Sequence, residues 1–270
     1  MGNIFDTIAQ LRDSGRPFCV ATVVRTADAT SAKAGAKAAV TETGKILGHL
    51  GGACVQRAVR EASARCVAGN APQMIRVKPD GPSTDGVEPD GVRTYRSGCP
   101  SGGTVDLLIE PCQPPCRLVI LGDTPIAHAL AAHAALAGFR VLTTGAVPPG
   151  VQATEIALGD LGGLRLDPRD FVVVASQGER DRDALKAALD TPVLRVSMVA
   201  SRRKAEVLST RLIESGMAAE RVGRLKSPAG LDLLAVDPHD IALSILSEIV
   251  LWRNTDRVAA GDTTITEHCA

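Results

Sequence analysis

Cysteines, glycine turns and one run of cations are the residues of this 270-residue chain with chemistry to offer. Cys54 follows Gly51, Gly52 and Ala53 at the mouth of a helix expected from about Val55 to Val67. A helix dipole favours a thiolate at its N-terminal end, and glycine N–H groups there can form an anion nest. A thiolate so placed can act as the catalytic group, ligate a soft metal or carry sulfur; the alternative is a tight Gly-Gly turn with Cys54 packed inward. Cys99 opens a second such run, Cys99-Pro100-Ser101-Gly102-Gly103-Thr104, just before a strand, and the two loops could face each other. A turn whose cysteine is filler is the competing reading there. Cys112 and Cys116 lie among prolines with no further ligands at matching spacing, so they do not make a zinc site. His49, His128, His133 and His239 show no metal spacing.

Three stretches suit an anionic ligand. An apolar strand from Arg117 runs into Gly122-Asp123-Thr124-Pro125-Ile126-Ala127 and then an alanine-rich helix, the opening of a dinucleotide-type βαβ unit. Its fingerprint is altered, because Thr124 replaces the second glycine of G-x-G-x-x-G/A. The second strand, Phe139 to Thr144, also ends without the acidic residue that grips a ribose, which argues against ordinary NAD binding. Gln177-Gly178-Glu179-Arg180-Asp181 follows the strand Phe171 to Ala175, at a strand carboxyl end where open α/β sheets bind ligands. Asp181 either caps the next helix or meets the ligand. Ser201-Arg202-Arg203-Lys204 starts a helix, where Ser201 can cap. Three cations oppose the local dipole there, which suggests an anionic partner, with a solvated charge run as the alternative.

These candidates sit on a recognisable series of elements. A short helix over residues 4–14 precedes a strand from Phe18 to Arg25, then a hairpin of Lys37–Val40 and Ile46–Leu50 and the Cys54 helix. Three strands are read between Met74 and Glu110, split by a polar loop from Lys78 to Gly91. The proline-dense segment from Glu110 to Cys116 is the natural linker. After it, strands and helices alternate up to a final helix from Pro238 to Arg253, which implies a parallel sheet covered on both faces. The expected fold is α/β: a mixed α/β domain over residues 1–113, a Rossmann-like domain over 114–253, and a tail over 254–270.

Lys plus Arg and Asp plus Glu number 30 each and only six residues are Phe, Trp or Tyr, which speaks against nucleic acid and anionic membrane as partners. No apolar run approaches the roughly 20 residues that span a bilayer, and the N-terminus lacks a signal pattern. A cytoplasmic location is expected, with the seven cysteines as thiols. Neither a Ser-His-Asp arrangement nor HExxH nor a Walker A motif is present. Binding is more evident than turnover.

Taken together, Ala21-Thr22-Val23-Val24-Arg25, Ala34-Gly35-Ala36-Lys37, Gly51 to Cys54, Val119 to Ala127, Ser201 to Lys204, Ser227-Pro228-Ala229-Gly230-Leu231-Asp232 and Ile241 to Ile249 resemble the XdhC/CoxI family. The likeness spans nearly the whole chain. Cys99 to Thr104 with Glu110-Pro111, and Ser176-Gln177-Gly178, look most like its CoxF branch, associated with carbon monoxide dehydrogenase. The resemblance implies a cytosolic maturation factor that binds molybdenum cofactor, or FAD or another nucleotide, and helps load or sulfurate a molybdenum hydroxylase apo-enzyme. It leaves copper handling and a homodimer open. It places the cofactor in a crevice between the two domains, its phosphate near Gly122 to Thr124 or Ser201 to Lys204 and Cys54 toward the metal or sulfur. Two departures stand out: Ala53 interrupts the family's Gly-Gly-Cys, and Gly122-Asp123-Thr124 replaces its Gly-Ala-Gly. The rival is an FAD- or NAD(P)-dependent oxidoreductase built on the same Rossmann opening.

Overall fold

The computed structural model of the chain describes residues 3–28, 30–79, 86–88, 91–98, 103–178 and 180–259. The chain divides into two compact units, Met1–Pro114 with Asp256–Ala270, and Pro115–Thr255. No helix among the described residues is long and apolar enough to cross a membrane.

In the first unit the elements run α1 (Ile4–Asp13), β1 (Phe18–Ala27), β2 (Lys37–Thr41), β3 (Ile46–Gly48), α2 (Ala53–Gly69), β4 (Gln73–Lys78), β5 (Gly86–Val87), β6 (Arg93–Arg96) and β7 (Thr104–Cys112). The described strands lie in the order β3-β2-β1-β7-β4-β6-β5. β4 and β6 are parallel, and the other described pairings are antiparallel. Cys19, Ala21 and Val23 of β1 and Val105, Leu107 and Ile109 of β7 point to one face, where they bury Val55, Ala58, Val59, Ala62 and Cys66 of α2. The period of two in the strands meets the helical period of α2, and the alanines let helix and sheet approach closely.

The residues between those buried positions carry a ladder of charges. Arg76 Nε lies 2.8 Å from Asp106 Oδ1 and its Nη1 2.5 Å from Glu88 Oε2; Lys78 Nζ lies 2.6 Å from Glu88 Oε1, and Arg25 Nη2 3.0 Å from Asp106 Oδ2. The short β5 falls inside the stretch that reads as polar loop in the sequence. Two residues paired to β6 are too few to leave an alternating pattern.

The second unit runs β8 (Arg117–Leu121), α3 (Pro125–Leu136), β9 (Arg140–Thr143), β10 (Ala153–Glu155), a 3-10 turn (Leu158–Gly163), β11 (Phe171–Val174), α4 (Asp181–Asp190), β12 (Arg195–Met198), α5 (Arg202–Glu214), α6 (Ala219–Val222), β13 (Leu225–Lys226) and α7 (Pro238–Ala259). Its six described strands are all parallel, in the order β10-β9-β8-β11-β12-β13, that of the dinucleotide-binding fold. Leu118, Ile120 and Val173 pack against α3 and α7 through Leu130, Ala134, Ile245 and Ile249. Val119, Leu121, Val172 and Val174 pack against α4 and α5 through Leu185, Leu189, Leu208 and Leu212. Burial on both faces is why β8 and β11 are continuous apolar runs. The final helix continues past Arg253, the expected end, to Ala259; the sequence offers no Gly or Pro to stop it earlier.

The charge ladder has a measurable signature. The Lys78 ammonium, with Arg76 beside it, holds the Glu88 carboxyl at about 2, below its unfolded value of about 4.3. A depressed carboxylate contributes stability that is complete above the unfolded pKa and is lost as pH falls through the folded one. Between about pH 4.5 and 2 the protein therefore loses stability, and Glu88→Gln flattens that limb of a denaturant-melt series against pH.

Candidate functional site

Parallel strands send all their carboxyl ends to one edge of the sheet, and the loops that leave that edge in the second unit hold most of the candidates. Gly122 follows β8 with a φ of 140°. A side chain there would overlap the Ala175 carbonyl at the end of β11, so glycine is what lets these two turns touch. Gly122 N–H donates to Thr144 Oγ1 at 2.9 Å. The first turn of α3 is closed by its own residues. Thr124 is buried, accepts from Ala127 N–H at 3.1 Å and donates to Ala175 O at 3.1 Å. Pro125 has no N–H to offer. Asp123 Oδ1 meets His128 Nε2 at 2.6 Å and accepts from Ala146 N–H at 3.0 Å; His128 and then Ala146 hold its carboxyl below the usual range. A capped helix start beside a carboxylate is a poor seat for a pyrophosphate.

At the end of β11, Gln177 and Arg180 both adopt the left-handed region, with φ of 46° and 59°. Such non-glycine conformations cost free energy and persist where the surroundings enforce them. Asp181 supplies the enforcement. It is 4% exposed, its Oδ1 accepts from Ser176 Oγ at 2.5 Å and from Gly178 N–H at 3.0 Å, and its Oδ2 pairs with Lys204 of α5. Burial pushes this carboxyl up, but Lys204, Ser176 and Gly178 outweigh it and the pKa is lowered. The capping reading of Asp181 is corrected here: Arg180 holds the N-cap position, and the carboxylate faces backward to the loop. Lys204 is likewise engaged by Asp181, so its charge is internally neutralised.

After β12, Ser201 caps α5 by accepting from Lys204 N–H at 3.3 Å. Arg202 and Arg203 are exposed, and among the described residues neither has an ion-pair partner. Arg202 lines a cavity of about 750 Å³ between the α5 start, the Ser227–Ala235 segment and α7. The segment is tied down firmly. Ser227 Oγ donates to Met198 O and Ala200 O, Ala229 N–H donates to Met198 O at 3.0 Å, and Gly230 packs against Ser244 too closely for any side chain. Below it, Glu248 of α7 is buried, with Oε1 2.6 Å from Lys226 Nζ and Oε2 accepting from Gly230 N–H at 3.0 Å.

In the first unit, Gly51 has a φ of 122° and Gly52 is the N-cap of α2, with no side-chain cap. Cys54 lies in the first helical turn, partly buried against the core, and its Sγ accepts from Gly98 N–H at 3.3 Å. Cys54 thus meets the residue just before Cys99. Cys99, Pro100, Ser101 and Gly102 lie outside the described residues. Gly103 approaches the Ala27 carbonyl so closely that only glycine fits. Among the described residues no three His, Cys, Asp or Glu side chains group to hold a metal.

The structure therefore brings Gly178, Ser176, Asp181 and Lys204 together, packs the Gly122 turn against Ala175 and Ser176 at the end of β11, and places Ser201 and Arg202 at the cavity. Sequence reasoning assigned no role to Lys226, which precedes the quoted Ser227 segment, or to Glu248, which lies within the quoted run Ile241 to Ile249. A lone acid inside the apolar run of α7 was the available signal, since a buried carboxylate needs a partner.

Fold and edge loops define the second unit as a Rossmann-type binding domain. Family comparisons agree and go further: the XdhC Rossmann domain matches residues 118–249, and the XdhC and CoxI family matches residues 11–78. The chain belongs to the XdhC and CoxI family. The uncharacterized protein YqeB of Escherichia coli (strain K12) is 29% identical over 263 residues, 93% of this chain and 46% of its own, so the chain spans about half the length of that curated relative. A solved structure described as a xanthine dehydrogenase from Bacillus halodurans aligns over 94% of this chain and 96% of its own, with 16% identity and a TM-score of 0.44.

Removing the Asp181 carboxylate strands Lys204, Ser176 and the Gly178 N–H together. Asp181→Ala lowers unfolding free energy by about 2 kcal/mol in denaturant melts, and adding Lys204→Met recovers part of that loss because the stranded cation is gone.

Proposed function

We propose that this chain is a cytoplasmic accessory factor in the maturation of a molybdenum hydroxylase, a binding protein rather than an enzyme. It holds the molybdenum cofactor by its phosphate at the start of α5 and passes it to the apo-enzyme. Family membership supports the accessory role, and the CoxF resemblance favours a client of the carbon monoxide dehydrogenase type. The observation that carries the binding reading is the cavity of about 750 Å³ with Arg202, which has no ion-pair partner among the described residues, on its wall. A phosphate fits this donor set: a guanidinium with free N–H groups, the Ser201 hydroxyl and the positive end of a 13-residue helix. Arg203 adds to the local field, and Gln177 and Gly178 are the neighbouring loop on the same sheet edge. In the client the cofactor supplies redox chemistry; here the residues bind, orient and release.

In the first unit, Cys54 is the thiol proposed to handle sulfur or a soft metal, with Gly51 and Gly52 leaving the helix start open beside it and Cys99 as the second thiol of the pair.

The second reading, an FAD- or NAD(P)-dependent oxidoreductase, is favoured by the dinucleotide-type strand order. Against it stands the α3 start, where Pro125, the Thr124 cap and the Asp123 carboxylate do not fit a pyrophosphate. Absorbance and mass analysis of the ligand that copurifies with the native protein separate the two: molybdenum cofactor supports maturation, and tightly held FAD turning over with a donor supports the oxidoreductase. Arg202→Ala with Arg203→Ala is expected to reduce bound cofactor at least tenfold with little change in melting temperature, each charge-assisted contact contributing about 1.5–3 kcal/mol. Cys54→Ala is expected to abolish activation of the client while cofactor binding persists; equal activation would remove the thiol from the mechanism.

A further inference from the structure

The cavity wall contains a second cation that its surroundings keep electrically silent. Lys226 Nζ donates to Pro228 O at 2.9 Å, to Gly230 O at 3.0 Å and to Glu248 Oε1 at 2.6 Å. An ammonium has three protons, and all three are taken. Glu248 is saturated too, since its other oxygen accepts from Gly230 N–H. Two hydroxyls along the wall are also engaged, Ser227 Oγ by two carbonyls and Ser244 Oγ by Ile241 O at 2.8 Å, while the Asp232 carboxylate on the same wall is exposed and has no cation partner among the described residues. Val199, Pro228, Leu231, Leu234 and Ile241 provide apolar lining. What is left to meet an anion is Arg202, assisted by Ser201.

We propose that Glu248 sets the selectivity of this cavity: by holding Lys226 it restricts the site to a ligand with an apolar body and one anionic terminus. A ligand with a second anionic group beside the first would find no further available cation for that group and would meet the Asp232 carboxylate, so its desolvation would go uncompensated. The inference rests on the reading above that this cavity is the seat of the ligand, and it adds the residue that selects ligand charge. It concerns Glu248 as a selectivity residue acting through Lys226, not as a group that touches the ligand.

The test uses the full chain and matched probes. Anilinonaphthalene sulfonate fluorescence reports occupancy, and naphthalene monosulfonate and naphthalene disulfonate compete at fixed ionic strength. In the wild type the monosulfonate competes at least as well as the disulfonate. Arg202→Ala and Leu234→Asp, both at exposed positions, each weaken probe binding about tenfold. Glu248→Gln shifts the competition ratio about tenfold toward the disulfonate, because Lys226 then carries an unbalanced charge. Lys226→Met with Glu248→Gln keeps the wild-type ratio within about twofold, because the cation is gone and the glutamine can still accept from Gly230 N–H to hold the segment. The proposal is overturned if folded Glu248→Gln leaves the ratio unchanged. It is equally overturned if Lys226→Met with Glu248→Gln shifts the ratio as far as Glu248→Gln alone, since the shift would then not come from Lys226. Should Glu248→Gln not fold, Glu248→Met is measured for the same shift toward the disulfonate, and an unchanged ratio there overturns the proposal. Probe binding insensitive to both Arg202→Ala and Leu234→Asp would instead remove the cavity as the seat, and with it the reading on which this inference stands.

Discussion

Two buried carboxylates decide which cations at the carboxyl edge of the parallel sheet stay free. Asp181 takes Lys204 at the end of β11, and Glu248 takes Lys226 at the end of β13. Burying a carboxylate is tolerable only with close, hydrogen-bonded partners, and each of these has a cation and a backbone N–H. The consequence is positional. Both pairs pin a loop leaving a strand, and both remove a positive charge from the edge. Arg202 and Arg203, with no ion-pair partner among the described residues, keep theirs. An edge rich in cations in the sequence becomes in the folded chain an edge with its available charge concentrated at the start of α5.

Sheet topology makes that concentration consequential. Strand order β10-β9-β8-β11-β12-β13 places the β8 and β11 turns side by side at the point where chain direction across the sheet reverses, the usual crevice for dinucleotides. In this chain the crevice is occupied by its own packing: Gly122 against Ala175, and the Thr124 hydroxyl between Ala127 N–H and the Ala175 carbonyl. The cavity lies farther along the same edge, past β12 and β13, flanked by the Ser227–Ala235 segment and α7. The fold is that of a dinucleotide binder, while the donors available suit a single phosphate.

Much of this architecture is legible in the sequence. Alternation in β1 and β7, and unbroken apolar runs in β8 and β11, announce one-sided and two-sided burial, and Ser201 marks the start of α5. Thr124 could be recognised as a departure from the glycine pattern, but not as the cap that closes the helix start, because that depends on Ala175 some fifty residues away. For the same reason the partners of Lys204 and Lys226 are invisible: each lies on a different element, brought near by sheet order. Short edge strands such as β10 and β13 take their stability from their neighbours rather than from any pattern of their own. Cys54 was legible as a thiol at a helix start, and the Gly98 N–H that meets it was not.

The most direct test of the account is hydrogen–deuterium exchange on the native, ligand-loaded protein against the same protein stripped of ligand. Residues 199–203 and 226–235 are predicted to gain protection on loading, with residues 122–128 unchanged. Protection confined to 122–128 would contradict the account, because it would put the anion on the helix start that Thr124 and Pro125 close.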